Sequence, residues 1–261
     1  MNTEVIESTP DKGNSAVQSE LGLFVQRLKC QLQERRIKFG KQIIKLTLPK
    51  SFTILSDDCW GGQLQRQLHL PYTSPTVGLY IHTAEYLNFL VNLRQPDATE
   101  LTFITTDKGF PVATTPYATI YFMHYRSQEE AASSFMKRFE RIDYDNLFVK
   151  IDLGKSYVTP DDIQAWNELN LRNSVAFYSS TINQEVHNGL CIADWTHDGA
   201  MMFDITRKYF NVYGWLRHGD IKRSTGYRII NFLFFDPTAW GQASQYLRVL
   251  KQRLNSDSGS D

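Results

Sequence analysis

The run Asp57-Asp58-Cys59-Trp60-Gly61-Gly62 brings two carboxylates, a thiol, an indole and two glycines together just after the β-type stretch Phe52-Thr53-Ile54-Leu55. A cysteine placed just past a strand end can act as a nucleophile if a base takes its proton. Two glycines allow a sharp turn and bring backbone N–H groups close to a ligand. A helix starting near Gly62 would lower the thiol pKa and hold an oxyanion with its first amides. Cys59 is therefore the candidate nucleophile, and the amides of Trp60, Gly61 and Gly62 are the candidate oxyanion donors. Asp58, with Asp57, would orient the base or a sugar hydroxyl. The Trp60 indole would stack on the apolar face of a sugar ring. The competing reading is an inert, packed cysteine beside an ordinary Gly-Gly turn.

Among the six histidines, His124 is the best base. It ends the apolar run Ile120-Tyr121-Phe122-Met123 and would share the carboxyl edge with Cys59 if that strand runs parallel to the first. His82, at the end of Val77–Ile81, is the second candidate for the site. His197, within Asp194-Trp195-Thr196-His197-Asp198, reads as a polar turn or a site lip. Arg138 and Arg141 could clamp a carboxylate or phosphate, or simply lie on a charged helix surface. No Walker loop, dinucleotide fingerprint, G-x-S-x-G elbow or HExxH occurs, and no metal-ligand spacing is present.

These residues need a scaffold. Helical spacing of Leu23, Phe24, Leu28, Leu32 and Ile37 predicts an amphipathic helix over 20–45. β-type runs follow near 52–55, 76–81, 101–105, 120–124, 147–151, 175–178 and 189–192. Helices are expected over 84–93, over 127–142 with Ser127 and Glu130 as a capping box, and from Thr159-Pro160 onward. A final helix is expected over 237–254. Strands alternating with helices predict an α/β fold with crossover units, a mostly parallel sheet and helices on both faces. Residues 1–18 and 255–261 are polar and aperiodic and are expected to be disordered, flanking a single domain over 19–254.

Composition narrows the function classes. The 261 residues carry 28 basic and 28 acidic side chains, which argues against a nucleic-acid binder, since phosphate-backbone affinity needs clustered positive charge. The three cysteines, Cys30, Cys59 and Cys191, form no CxxC pair, so a reducing compartment fits better than a disulfide framework. There is no signal-peptide pattern, and no apolar run approaches the roughly 18 residues a membrane span needs. A cytoplasmic location is expected.

Three stretches carry a family resemblance: FTILSDDCWGG (52–62) followed by LHLPYTSPTVGLYI (68–81), IYFMHYRSQEEAASSFMKRFERIDYDNLFVKID (120–152) and, more weakly, FDITRKYFNVYGWL (203–216). Over roughly 50–220 the chain resembles the bacterial family called domain of unknown function 1919. That resemblance implies three layers, α/β/α, around a mixed, mostly parallel sheet, and an association with exopolysaccharide and capsule biosynthesis. It supplies no catalytic residues; the Asp58–Gly62 and His124-Tyr125 matches mark only where the family-like motifs fall. The layout TILSDDCWGG is also loosely similar to capsule-associated SGNH-like acyltransferases, which place a cysteine or serine directly after their first strand.

Three functions follow as expectations. The first is a transferase on a surface-polysaccharide precursor, moving an acyl group through Cys59 with His124 as base and acetyl-coenzyme A as the donor such chemistry would use. The second places a divalent metal and a nucleotide sugar on Asp57 and Asp58 for glycosyl or phosphate-linked group transfer. The third is a non-catalytic carbohydrate-binding or assembly protein in which Cys59 is core.

Overall fold

The computed structural model describes residues 12–207, 209–219, 221 and 229. Residues 1–11, the helix expected over 237–254 and the tail 255–261 lie outside the described residues. The chain divides into two compact units, residues 1–44 with 228–261, and residues 45–227.

The described part of the first unit is helical. α1 (Lys12–Thr47) begins well before residue 20, so residues 12–18 are helix rather than irregular chain. Ala16 and Gln18 are good helix formers, and extending an existing helix is far easier than nucleating one. Leu23, Phe24, Leu28 and Leu32, the apolar positions that predict this helix, are all exposed.

The second unit is α/β. Its strands are β1 (Thr53–Ser56), β2 (Tyr80–Ile81), β3 (Thr102–Ile104), β4 (Val112–Thr114), β5 (Thr119–Tyr121), β6 (Leu147–Asp152), β7 (Ser174–Tyr178) and β8 (Gly189–Cys191). They form two sheets. One is parallel in the order β1-β6-β7-β8, and the other is antiparallel in the order β2-β5-β4-β3. The sheets meet where Ile81 N donates to Asp57 O at 3.0 Å, directly beside the candidate site. The fold is α/β, with parallel and antiparallel strands segregated into two separate sheets.

The helices are α2 (Trp60–Leu68), α3 (Thr83–Val91), α4 (Gln128–Phe139), α5 (Pro160–Leu169), α6 (Gly199–Thr206) and α7 (Val212–His218). Their starts follow local chemistry. Thr159 and Asp162 form a reciprocal capping box at α5, with Pro160 at its first position. Ser127 Oγ accepts from Glu130 N at 3.2 Å to cap α4. The Glu130 carboxylate reaches one residue further back than a standard box, to Arg126 N at 3.0 Å.

A single apolar cluster spans both sheets and includes Leu55, Ile81, Tyr86, Phe122, Phe135, Val149, Ile151 and Trp166. Because β6 and β7 are covered on both faces, their residues read as nearly continuous apolar runs. Among the exceptions is Lys150 in the middle of β6, with no accessible surface at all, along with the buried Asp152 and Ser174.

Candidate active site

The chain leaves β1 at Ser56 and enters α2 at Trp60, and the three residues between face different ways. Asp58 Oδ1 accepts from Trp60 N at 2.9 Å and from Ser56 Oγ at 3.0 Å, so this carboxylate caps the helix. Cys59 occupies the N-cap position with helical dihedrals (φ −69°, ψ −7°) and makes no side-chain cap bond, which leaves its thiol available. Gly61 and Gly62 form the first turn of α2 rather than a loop. A Cβ on Gly61 would sit 3.0 Å from Ser56 Cβ, and one on Gly62 would sit 3.2 Å from Val77 Cγ1. Both glycines let the helix press against β1 and the Val77 segment.

His124 reaches Cys59 by a route the sequence does not suggest. β5 lies in the antiparallel sheet, so it shares no carboxyl edge with β1. The chain turns after β5, and His124 N donates to Gly78 O at 3.1 Å. Gly78 has φ +77°, and a Cβ there would lie 3.3 Å from Tyr125 Cε2, so this position takes glycine for both its backbone and its space. The result is a Cys59 Sγ to His124 Nε2 distance of 3.2 Å, within range of an S–H···N hydrogen bond.

This pair opens on a cleft of about 880 Å³, lined also by Arg66, Tyr72, Tyr125, Arg138, His197 and Asp198. Tyr125 donates from its hydroxyl to Val77 O at 2.7 Å. Arg138 Nη1 donates to Val77 O at 3.1 Å and also to the Tyr125 hydroxyl. The guanidinium lies 5.1 Å from the Tyr72 ring centre. Tyr125 and Arg138 thus build the wall opposite α2. His197, in a turn with Trp195, contributes to the rim.

Cys59 is half-buried, and its thiol is not activated electrostatically. Burial pushes it up to about 11, with the Asp58 and Asp198 charges adding and Lys150 and Arg66 opposing. The expectation that the helix start would lower this pKa is therefore corrected. The adjacent Asp58 carboxylate sits on the first helix amide and supplies negative charge where the dipole would supply positive. At neutral pH the sulfur is a thiol, and His124 is the group placed to take its proton.

Other predicted residues lie elsewhere. Asp57 is fully buried and receives Lys150 Nζ at 3.1 Å, Lys155 Nζ at 2.5 Å and the backbone N of Asp152 at 3.3 Å. Asp58 Oδ2 receives Lys150 Nζ at 2.6 Å. Burial works to raise the Asp58 pKa, but Lys150 and Lys155 more than reverse this and hold it at about 2. Neither carboxylate contacts His124. Their oxygens are taken up by buried ammonium groups, which corrects their assignment to a base-orienting or substrate-binding role. Trp60 is not a sugar platform either. It is 1% exposed, packs among Phe177, Phe203, Phe210 and Trp215, and donates from Nε1 to Thr206 Oγ1 at 3.0 Å. Its N–H is given to Asp58, so it is not an oxyanion donor. His82 precedes α3 and stacks on Tyr157, 3.9 Å between ring centres, away from the cleft lining. Arg141 is exposed just beyond α4 and does not line the cleft.

Sequence reasoning missed Lys150, Lys155 and Arg66. Lys150 had a signal: an ammonium inside the apolar run Leu147–Ile151 must find buried counter-charge, and Asp57-Asp58 is an adjacent acid pair directly after the β1 run. Lys155 and Arg66 had none, because nothing in their neighbourhood separates them from surface cations.

The family model for the domain of unknown function 1919 matches residues 30–200. The chain belongs to that family. It is also similar to an uncharacterised protein of Haemophilus influenzae strain Rd, at 33% identity over 153 residues, covering 58% of this chain and 74% of the relative. The family match takes in Cys59, His124, Arg138 and Lys150. No described helix is long and apolar enough to cross a membrane.

Proposed function

We propose that this family member is a cysteine-dependent acyltransferase, with Cys59 as nucleophile and His124 as general base. The observation that carries the reading is the 3.2 Å contact between Cys59 Sγ and His124 Nε2 at the wall of an open cleft. A thiol near 11 is a poor nucleophile until deprotonated, but its thiolate is intrinsically strong. In the first step His124 Nε2 takes the thiol proton while Sγ attacks the acyl carbonyl carbon of a thioester donor such as acetyl-coenzyme A. The bond to the donor sulfur breaks, and His124 returns the proton to that leaving group. In the second step His124 deprotonates an acceptor hydroxyl, whose oxygen attacks the Cys59 thioester. The C–S bond breaks, and the proton returns to Sγ. The acceptor proposed from the family resemblance is a hydroxyl of a surface-polysaccharide precursor.

The test is acylation of Cys59 by an acyl thioester, followed by mass spectrometry of the Cys59 peptide. The adduct is expected on Cys59, and His124→Ala should slow its formation by about 10²–10⁴-fold. An adduct confined to Cys30 and Cys191, or one indifferent to His124, rejects the reading.

The metal and nucleotide-sugar reading is less well supported. A divalent cation at Asp57 and Asp58 would have to displace the buried ammonium groups of Lys150 and Lys155. A thermal shift with magnesium or manganese plus a nucleotide sugar, and none with coenzyme A, would reverse this preference. The non-catalytic reading required Cys59 to be core, yet the residue is half-buried and lines the cleft.

A further inference from the structure

Two cations lie in the same cleft as the thiol, and neither has an acidic partner. Among the described residues Arg66 and Arg138 form no ion pair, whereas the four ion pairs present belong to Lys150, Lys155 and Arg207. The carboxylates that line the same cleft, Glu130 and Asp198, form no ion pair with either arginine, and each accepts a backbone N–H. Glu130 Oε2 accepts from Arg126 N at 3.0 Å, and Asp198 Oδ1 accepts from Met201 N at 3.0 Å, each serving the first turn of a helix. Arg138 is half-buried and braced. A single nitrogen, Nη1, donates to both Val77 O and the Tyr125 hydroxyl, and the guanidinium carbon lies over the Tyr72 ring. Among the described residues, that leaves Nη2 and Nε of a positioned guanidinium without a protein acceptor. A planar fork held in this way is suited to two oxygens of one anion. Arg66 lies on α2 two turns beyond Cys59, and its charge is felt at the sulfur. A half-buried cation that the protein leaves without a counter-ion costs stability, and the cost is recovered when a ligand supplies the negative charge.

We propose that the cleft selects a substrate bearing an anionic oxyacid group, phosphate or carboxylate, which Arg138 and Arg66 hold while the reacting carbon lies at Cys59. This deepens the acyl-transfer reading by naming what the donor or acceptor must carry, and it rests on that reading only for the role of Cys59. The binding claim itself needs only the cleft and its two arginines.

The experiment is protection of Cys59 in the full-length protein. Carboxymethylation by iodoacetamide is followed at the Cys59 peptide while inorganic phosphate, acetate or chloride is titrated at constant ionic strength. Phosphate is expected to slow the modification at least 3-fold along a saturable curve, with chloride having no effect. Protection by acetate alone would assign a carboxylate instead of a phosphate. Arg66→Gln, an exposed position that folding should tolerate, is expected to shift the protection midpoint to at least 3-fold higher anion concentration. Arg138→Lys, which keeps the charge but loses the fork, should do the same. If chloride protects as well as phosphate, or if neither oxyanion protects, or if both variants protect like the native chain, the proposal is overturned. These outcomes do not depend on whether His124 assists acylation. A failed catalytic reading would leave anion protection in place, and a failed anion site would leave the Cys59–His124 chemistry untouched.

Discussion

Asp57, Asp58 and Cys59 are consecutive, yet they belong to two regions built on opposite rules. The carboxylates belong to a closed cluster with Lys150, Lys155 and Asp152, in which ammonium groups, backbone amides and hydroxyls take up the oxygens. Cys59 belongs to an open cleft, with an imidazole in contact and guanidinium nitrogens left over. The closed cluster ties β1 to β6 and fixes where α2 begins, because Asp58 bonds both to Lys150 and to the first helix amide. The open region uses the fixed position of Cys59 that results. Satisfied charge in a protein interior is scaffold, while unsatisfied polar groups beside a cavity are where chemistry is expected. Rich polar content in a sequence does not by itself say which of the two it will become.

The largest effects should come from opening the closed region. Lys150→Met removes the ammonium shared by Asp57 and Asp58 and leaves buried negative charge. A loss of about 3–5 kcal/mol in chemical denaturation is expected. Trp60→Ala should cost a similar amount, about 3–5 kcal/mol, because the indole fills a cluster of four aromatic rings. If Trp60→Ala instead left stability intact and weakened a sugar ligand, the indole would belong to the cleft and the division drawn here would be wrong.

A smaller effect should appear in the pH dependence of stability. Asp58 is held at about 2, below the ordinary 3.8. Its contribution is fully present above the ordinary value and is lost as pH falls from about 4 toward 2. The loss should be about 2 kcal/mol. Asp152 moves the other way. Burial, with Asp57 and Asp58 adding and the two lysines opposing, raises it to about 6. The folded protein therefore takes up a proton as pH falls through about 6, and stability should rise between pH 7 and 5. Asp152→Asn keeps an oxygen for Trp195 Nε1 and Gly154 N and should flatten that upper limb alone. A profile with no acid limb below pH 4 would mean that Asp58 is not bound in the closed cluster.

The legibility of the two regions in the sequence differs for the same reason. The strand–helix alternation and the Thr159-Pro160 helix start could be read from local pattern, since each depends on a few neighbouring residues, whereas the Cys59–His124 contact joins residues 65 positions apart. His124 was selected as a strand-end residue on a shared edge; the structure delivers the contact through the Gly78 turn and a second, antiparallel sheet instead. The roles of Asp57, Asp58 and Trp60 could not be read, because they depend on partners more than 90 positions away: Lys150 and Lys155 for the acids, Phe203 and Phe210 for the indole. A carboxylate looks the same in sequence whether it meets solvent or a buried ammonium. The apolar stripe of α1 correctly predicts the helix, but periodicity reports a face and not whether anything covers it.

The smallest effect is expected at Cys59 itself, and it carries the most weight for the comparison. Its side chain makes no cap bond, its backbone is already helical, and it is only half-buried. Alanine adopts the same dihedrals without strain and removes a sulfur that burial holds as a neutral thiol. Cys59→Ala should therefore change the unfolding free energy by less than about 1 kcal/mol, while abolishing acylation at that position. The neighbours on either side set the scale, because truncating Trp60 or unpairing Asp58 disrupts packed or ion-paired groups. A loss at Cys59 as large as that at Trp60 would mean that the sulfur is part of the core. The cleft would then be a surface irregularity, and the three consecutive residues would all be scaffold.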